Sequence, residues 1–249
     1  MVNAKKKIVL GKIAVVTGAN RGVGKAISEV LAWEGATVIL LGRRESALLE
    51  VKKELDAKGG KTDICVCDLN DDEQISRAMD EILRKHGHID VLVNNAGIET
   101  DMDFIDMPME LFDSMMRFNF RQLAVMTKAA LPSMIAHGTG GSIINIASAA
   151  GERGLPSSTS YSCSKAAVIC FTQTLGEELR KYNIRVNSLN PGLLDTELFW
   201  ESATCDYLME KCGDLLPLET VGYYAAFLAS DMSDGMTCQS LCVRGSSRW

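Results

Sequence analysis

Proline and aromatic residues are scarce in this chain, with five prolines and 6% Phe, Trp and Tyr in 249 residues. A loop-rich all-β fold draws on both, for turns and for sheet faces, so this balance argues against one. Histidine is scarcer still. His86, His88 and His137 do not cluster with the eight cysteines, at 65, 67, 163, 170, 205, 212, 238 and 242. No two cysteines form C-x-x-C, so zinc-ligand spacing is missing and no metal is expected. The thiols read as reduced and mostly buried. No basic run exceeds Lys5-Lys6-Lys7 and the formal net charge is −6, which excludes the concentrated basic face that nucleic acid requires. No apolar stretch reaches the ~20 residues needed to span a bilayer. Lys5 to Val16 has the basic start and apolar run of a signal peptide. Gly11-Lys12 splits that run, however, and no small-residue cleavage site follows. It reads as a first strand, in a cytoplasmic protein with no membrane partner.

What is present is a regular alternation of short apolar runs and helical patterns. The strand-like runs are Lys12–Thr17, Thr37–Leu41, Asp63–Cys67, Asp90–Val93, Ser142–Ala147, Ile184–Leu189 and Ser240–Val243. Between them lie helical patterns at Gly22–Trp33, Arg44–Lys58, Asp71–His86, Met109–His137, Thr159–Tyr182 and Thr220–Ala229. Pro132 is expected to kink or stop the fourth helix. Strands that are continuously apolar rather than alternating are covered on both faces, which is the mark of a parallel sheet between helix layers. The expectation is an α/β fold: one Rossmann-type doubly wound parallel sheet of about seven strands with helices on both faces. No linker or repeat divides residues 1–249, which read as one dinucleotide-binding and catalytic domain with a variable lid around 193–216.

The first strand runs into Thr17-Gly18-Ala19-Asn20-Arg21-Gly22-Val23-Gly24, which opens the first helix. Glycines there let backbone N–H groups approach a pyrophosphate seated on a helix N-terminus. The spacing is G-x-x-x-G-x-G. Four further signals follow in order: Asn94-Asn95-Ala96-Gly97 after the fourth strand, Ser148 after the fifth, Tyr161-x-x-x-Lys165, and Pro191-Gly192 after the sixth. Over nearly its whole length the chain resembles the short-chain dehydrogenase/reductase family. Its near relatives there include 3-oxoacyl reductases, hydroxysteroid dehydrogenases and sugar dehydrogenases.

That resemblance implies a dinucleotide held by Gly18, Asn20, Arg21, Gly22, Val23 and Gly24. It also implies Asp68 and Leu69 framing the adenine, Asn95, Ala96 and Gly97 on the ribose side, and Pro191, Gly192 and Thr196 beyond the sixth strand. After the second strand an NAD enzyme of this family places an acidic residue on the ribose diol. Gly42 occupies that place here and Arg43 and Arg44 follow. A 2′-phosphate carries about −1.5 to −2 charge, and each charge-assisted bond from Arg contributes ~1.5–3 kcal/mol. The expected cofactor is therefore NADP(H), with Arg21 and Arg43 as grips and Arg44 as a third. The alternative is that Arg43 and Arg44 simply start a solvated helix.

Tyr161 and Lys165 stand four residues apart on a helical pattern and so share a face. A free tyrosine with a pKa near 10 is only ~0.1% ionised at neutral pH. An adjacent ammonium and a nicotinamide charge can lower that value. Tyr161 is the expected acid/base, Lys165 its activator and a ribose ligand, and Ser148 the group that orients the substrate oxygen. By resemblance Asn119 supports a water-linked proton relay. The expected reaction is interconversion of a small-molecule secondary alcohol and ketone. The lid residues Leu193, Leu194, Leu198, Phe199, Trp200, Tyr207, Leu208, Met209, Leu215 and Leu216 lean toward a hydroxysteroid or another bulky apolar substrate. A 3-oxoacyl thioester on an acyl carrier is the alternative. Pro132 and Glu177 stand where oxoacyl reductases offer basic residues to such a carrier. A non-catalytic nucleotide sensor is the reading from another class. The resemblance further implies a homodimer or homotetramer through the two long helices, while the ending Gly245-Ser246-Ser247 departs from the family pattern.

Overall fold

The computed structural model describes residues 7–201, 205–212 and 215–244. The elements, in chain order, are β1 (Ile13–Thr17), α1 (Gly22–Trp33), β2 (Thr37–Gly42), α2 (Glu45–Ala57), β3 (Lys61–Val66), α3 (Asp72–His86) and β4 (Val91–Asn94). Then come α4 (Met109–Met116), α5 (Gln122–His137), β5 (Gly141–Ile146), α6 (Thr159–Leu179), β6 (Ile184–Pro191), α7 (Glu197–Trp200), α8 (Cys205–Cys212), α9 (Leu218–Ala229) and β7 (Ser240–Val243). The seven strands form one sheet in the order β3-β2-β1-β4-β5-β6-β7, and every pairing is parallel. The chain winds outward from β1 to β3, then crosses back to β4 and winds the other way. That reversal leaves a crevice beyond the carboxyl ends of β1 and β4, the place where a doubly wound sheet binds its ligand.

The period of two along each strand explains the continuous apolar runs. Val16, Leu40 and Val93 pack on one face with α1, α2 and α9. Their neighbours Val15, Ile39, Leu41 and Leu92 pack on the other with α3, α5 and α6. Each such buried side chain contributes about 1.5–3 kcal/mol. The edge strands β3 and β7 are the exceptions, with only Cys65 and Val243 buried in them. Part of the buried polar set on the sheet is satisfied across the strands. Asn94 Nδ2 donates to Thr127 Oγ1 and to Asn145 Oδ1, both at 2.9 Å, and Asn145 Nδ2 donates to Thr172 Oγ1 at 2.9 Å.

Three expectations are corrected here. The helix expected over Met109–His137 is interrupted at Arg117–Arg121 by a π-helical turn that joins α4 to α5. Pro132 does not stop α5, which runs on to His137 and ends at Gly138 in the left-handed region (φ 76°). A proline removes one donor, but flanking packing holds the helix, and glycine supplies the cap. The thiols are not mostly buried. Cys65 and Cys67 are, and burial pushes them up to about 12 and about 11, but Cys163, Cys170 and Cys242 are exposed. Cys163 and Cys170 lie seven residues apart, hence on one outward face of α6. Gly245-Ser246-Ser247 and part of the lid lie outside the described residues, as does the Leu198 side chain. Among the described residues no helix is long and apolar enough to cross a membrane.

Candidate active site

The crevice at the β1/β4 switch is a cleft of about 1160 Å³. Ordinary small-ligand pockets hold roughly 300–1,000 Å³, so there is room for a dinucleotide together with a second molecule. Its floor is stitched by Thr17. That hydroxyl accepts hydrogen bonds from the Asn95 and Ala96 N–H groups (2.9 and 3.1 Å), and Asn95 Nδ2 donates to the Thr17 carbonyl at 2.9 Å.

One end of the cleft is the glycine turn. Gly18 adopts a left-handed conformation (φ 66°), and a Cβ there would stand 3.0 Å from Ala96 Cα. Gly24 is tighter: a Cβ would meet the Gly18 carbonyl oxygen at 2.3 Å. The first turn of α1 carries no side-chain cap, so its N–H groups are offered to the cleft, where a helix N-terminus attracts an anion. Asn20, Arg21, Gly22 and Val23 line the same end, as do Gly42, Arg43 and Arg44 at the end of β2 and Asp68 and Leu69 after β3. Asn95, Ala96, Gly97, Pro191, Gly192 and Thr196 complete that part of the lining. These residues fit a dinucleotide: a cradle with no room for a Cβ, an uncapped helix start, and cations where a second phosphate would stand.

Two of the expected contacts carry other bonds. Arg21 Nη1 is paired to Glu197 Oε2 at 2.6 Å, so this expected grip is tied to the lid. Both partners are exposed, and such a pair contributes little on its own. The Thr196 hydroxyl caps α7 by accepting from the Phe199 N–H at 3.1 Å.

At the other end of the cleft stand Ser148, Tyr161 and Lys165. Ser148 follows β5, and its Oγ accepts from the Ala150 N–H at 3.1 Å. Tyr161 and Lys165 point from the first turns of α6. The buried ammonium of Lys165 donates to the Ile146 carbonyl at 2.9 Å and lies 5.7 Å from the centre of the Tyr161 ring. The Ser148 hydroxyl favours the ionised form of the Tyr161 phenol. The lowered phenol pKa expected from Lys165 is not what the chain's own residues produce. Burial, reinforced by the Glu99 charge, raises Tyr161 above its usual value, and only the Ser148 bond pulls it down. Burial also brings Lys165 down to about 8, opposed by Glu99.

Asn119 does not face the cleft. It is buried behind the wall in the π-helical turn, where its amide clamps one residue of the β4–α4 segment. Oδ1 accepts from the Ile98 N–H at 2.8 Å, and Nδ2 donates to the Ile98 carbonyl at 2.9 Å and to Ser164 Oγ at 3.0 Å. These bonds make the Asn119 side chain a support of the wall. Such turns often mark functional sites.

The sequence reading missed Glu99 and Arg153, which line the reacting end. Burial and the Asp101 charge push the Glu99 carboxyl up to about 7. The only available signal was its place two residues past Gly97. Elsewhere, His88, Asp90 and His137 bring their ligand atoms within 4.8 Å of one another, but the two imidazoles stack face to face at 3.8 Å and so do not aim at a common point.

The short chain dehydrogenase family pattern matches residues 12–205. A 3-oxoacyl-(acyl-carrier-protein) reductase of Thermotoga maritima is 37% identical over 245 residues, covering 94% of this chain and 97% of its own. Among solved structures, a gluconate 5-dehydrogenase from Burkholderia cenocepacia in complex with NADP and tartrate is 31% identical with a TM-score of 0.90, covering 96% of each chain. A variant of actinorhodin polyketide ketoreductase with NADPH is 30% identical with a TM-score of 0.88, covering 94% of this chain and 96% of its own. Two of these neighbours hold a nicotinamide dinucleotide, the group the cleft fits. The chain belongs to the short-chain dehydrogenase family, oxidoreductases that act on CH–OH and keto groups.

Proposed function

We propose that this chain is an NADP(H)-dependent ketoreductase, interconverting a secondary alcohol and a ketone, and that its substrate is a 3-oxoacyl thioester. The observation that carries the reaction is the convergence of Ser148, Tyr161 and Lys165 in one cleft with the glycine cradle. A bound nicotinamide supplies the hydride. Ser148 and Tyr161 hold the carbonyl oxygen, and Tyr161 delivers a proton to it. Lys165 balances the charge left on Tyr161, and Asn119 keeps the facing wall in place. Arg43 and Arg44 at the ribose end support NADP(H) over NAD(H). The substrate class is supported by full-length curated relatives named for 3-oxoacyl reduction. Leu155, Phe199, Leu208 and Leu218 line the cleft and suit an acyl chain. A hydroxysteroid rests on that apolar lining alone, since no relative reported above is named for one, and the thioester takes its place. The chain acts as one dinucleotide-binding and catalytic unit, with Leu193, Leu194, Phe199 and Leu208 of the lid on the cleft, and assembly into a homodimer or homotetramer accompanies that reading.

Glu177, at a place where the resemblance implies a basic residue for an acyl carrier, is held by Arg180 through two bonds, of 2.7 and 2.9 Å. The test therefore starts with a small thioester. NADPH oxidation is followed with acetoacetyl-coenzyme A, a ketosteroid and a ketose, then repeated with NADH. Turnover is expected with the thioester and NADPH, and a loss of roughly 10²–10⁴-fold in Tyr161→Phe, with NADPH binding retained. Oxidation with the ketosteroid alone would overturn the substrate. Binding of NADPH without turnover of any ketone would favour a nucleotide sensor.

A further inference from the structure

One ionisable group at the reacting end has no part in the chemistry above. Glu99 lines the same cleft as Tyr161 and Lys165, two residues past Gly97, where a Cβ would stand 3.5 Å from Lys165 Nζ. Its position is fixed from both sides. Asn119 clamps the preceding residue, Ile98, through both of its backbone groups. On the other side the Met102 N–H donates to the Ser157 carbonyl at 2.6 Å, and Ser158 Oγ donates to Asp101 Oδ1 at 2.7 Å. Ser158 is three residues before Tyr161, so the frame that places the tyrosine also places Glu99. Among the described residues its carboxyl accepts no hydrogen bond. It feels burial, Asp101 and Lys165 instead.

We propose that Glu99 is a third member of the site, a positioning residue that in its ionised form biases the Tyr161–Lys165 pair toward donating a proton rather than accepting one. The inference rests on the catalytic pair named above but not on the identity of the ketone. A negative charge near a phenol and an ammonium favours the protonated form of both, and both are raised by Glu99 here. A phenol with its proton, beside a charged lysine, is the state that reduces a carbonyl. In that step the C–H bond forms with the nicotinamide's hydride, the O–H bond forms with the Tyr161 proton, and the cofactor is left oxidised. Other charged groups are Asp101 and Asp103 on the same segment, bonded to Ser158 and Ser157, Arg153 after β5, and Asp195 and Glu197 across the cleft, the last paired to Arg21. Arg244, after β7, is paired to Glu152 at 2.7 Å.

The test compares wild type, Glu99→Gln and Glu99→Asp. In the free protein, Lys165 is titrated by NMR of isotope-labelled lysine, assigned by its loss in Lys165→Arg. Tyr161 is titrated by ultraviolet phenolate absorbance, as the difference from Tyr161→Phe. Removing one nearby charge is expected to lower the pair's apparent values by about one pH unit, and Glu99→Asp is expected to keep most of the effect. The alkaline limb of reduction and the acidic limb of alcohol oxidation then both move down by about one pH unit in Glu99→Gln. Unchanged titrations of both groups in Glu99→Gln would overturn the proposal whichever ketone is turned over. Shifted titrations with no turnover of the thioester would count against the substrate reading alone.

Discussion

Replacing Asn119 by alanine tests the idea that the cleft wall is held from behind. The substitution removes an acceptor 2.8 Å from the Ile98 N–H and a donor 2.9 Å from the Ile98 carbonyl. It also removes a donor to Ser164 Oγ, but that hydroxyl keeps its own bond to the Tyr161 carbonyl at 2.6 Å. Two backbone groups are therefore orphaned. Each costs about 1–3 kcal/mol when left unsatisfied. Ile98 is half-buried and water reaches part of it, so the lower end applies, about 2–3 kcal/mol in all. A domain with roughly 5–15 kcal/mol in hand still folds, so activity is measurable. Urea unfolding at constant slope reads the stability, and hydrogen exchange at the Ile98 amide reads the local opening. kcat is expected to fall more than nucleotide affinity, because the freed segment carries Gly97 and Glu99 into the reacting end. Ser164→Ala and the double variant close a cycle, and coupling is expected because the two residues share a bond. A loss of under about 1 kcal/mol together with unchanged Ile98 exchange would refute the clamp.

Three further outcomes follow from the same geometry. Arg43→Ala and Arg44→Ala should each raise the KM for NADPH by roughly 10- to 100-fold per lost phosphate contact and leave NADH little changed; Arg21→Ala should do less, because Glu197 already holds that side chain. Gly24→Ala puts a Cβ 2.3 Å from the Gly18 carbonyl and 2.5 Å from Asn95 Nδ2, so nucleotide affinity measured by fluorescence titration should fall about tenfold or more, the equivalent of 1.4 kcal/mol. Lys165 falls from 10.5 in the free side chain to about 8 in the fold. Between those values the folded state binds fewer protons, so stability rises with pH across that window, and below pH 8 the full penalty is present, about 3 kcal/mol. Comparing urea unfolding of wild type and Lys165→Met from pH 7 to pH 11 should show the wild type gaining stability relative to the variant as pH rises, because the opposing slopes of the raised Cys65, Cys67 and Tyr161 are common to both.

The parallel sheet and most of the cleft were legible because their signals are local. A continuous apolar run requires cover on both faces, and a glycine turn after the first such run has few other uses. Tyr161 and Lys165 share a helical face by spacing alone. What was not legible depends on partners distant in the chain. Glu197 lies 176 residues from Arg21, and nothing near the glycine loop announces it. The π-helical turn carries Asn119, whose side chain reaches across to Ile98 and Ser164, bonds that helical periodicity does not encode. Pro132 marks a break by propensity, and packing of α5 on α3 and the sheet overrides it. Glu99 sits where a sequence reader sees only the end of a motif, and burial turns an ordinary carboxylate into one titrating near neutral pH.

The residues that family resemblance assigns to the nucleotide are, in this fold, first of all the joint between the two halves of the sheet. Asn95 and Ala96 donate to the Thr17 hydroxyl, and Asn95 Nδ2 reaches the Thr17 carbonyl. Thr17 ends β1, which carries the glycine cradle. Asn95 follows β4, which leads through Gly97 and Ile98 to Glu99 and the reacting end. The β1–β4 pairing sets the spacing between the pyrophosphate cradle and the reacting end, and the Thr17 hydroxyl and the Asn95 amide extend that pairing past the strand ends. A lesion at Asn95 would misplace the cofactor half relative to Tyr161 even with every phosphate contact intact. For that reason a substitution there would lower kcat and nucleotide affinity together, whereas the loss of an arginine at the ribose end would lower affinity alone.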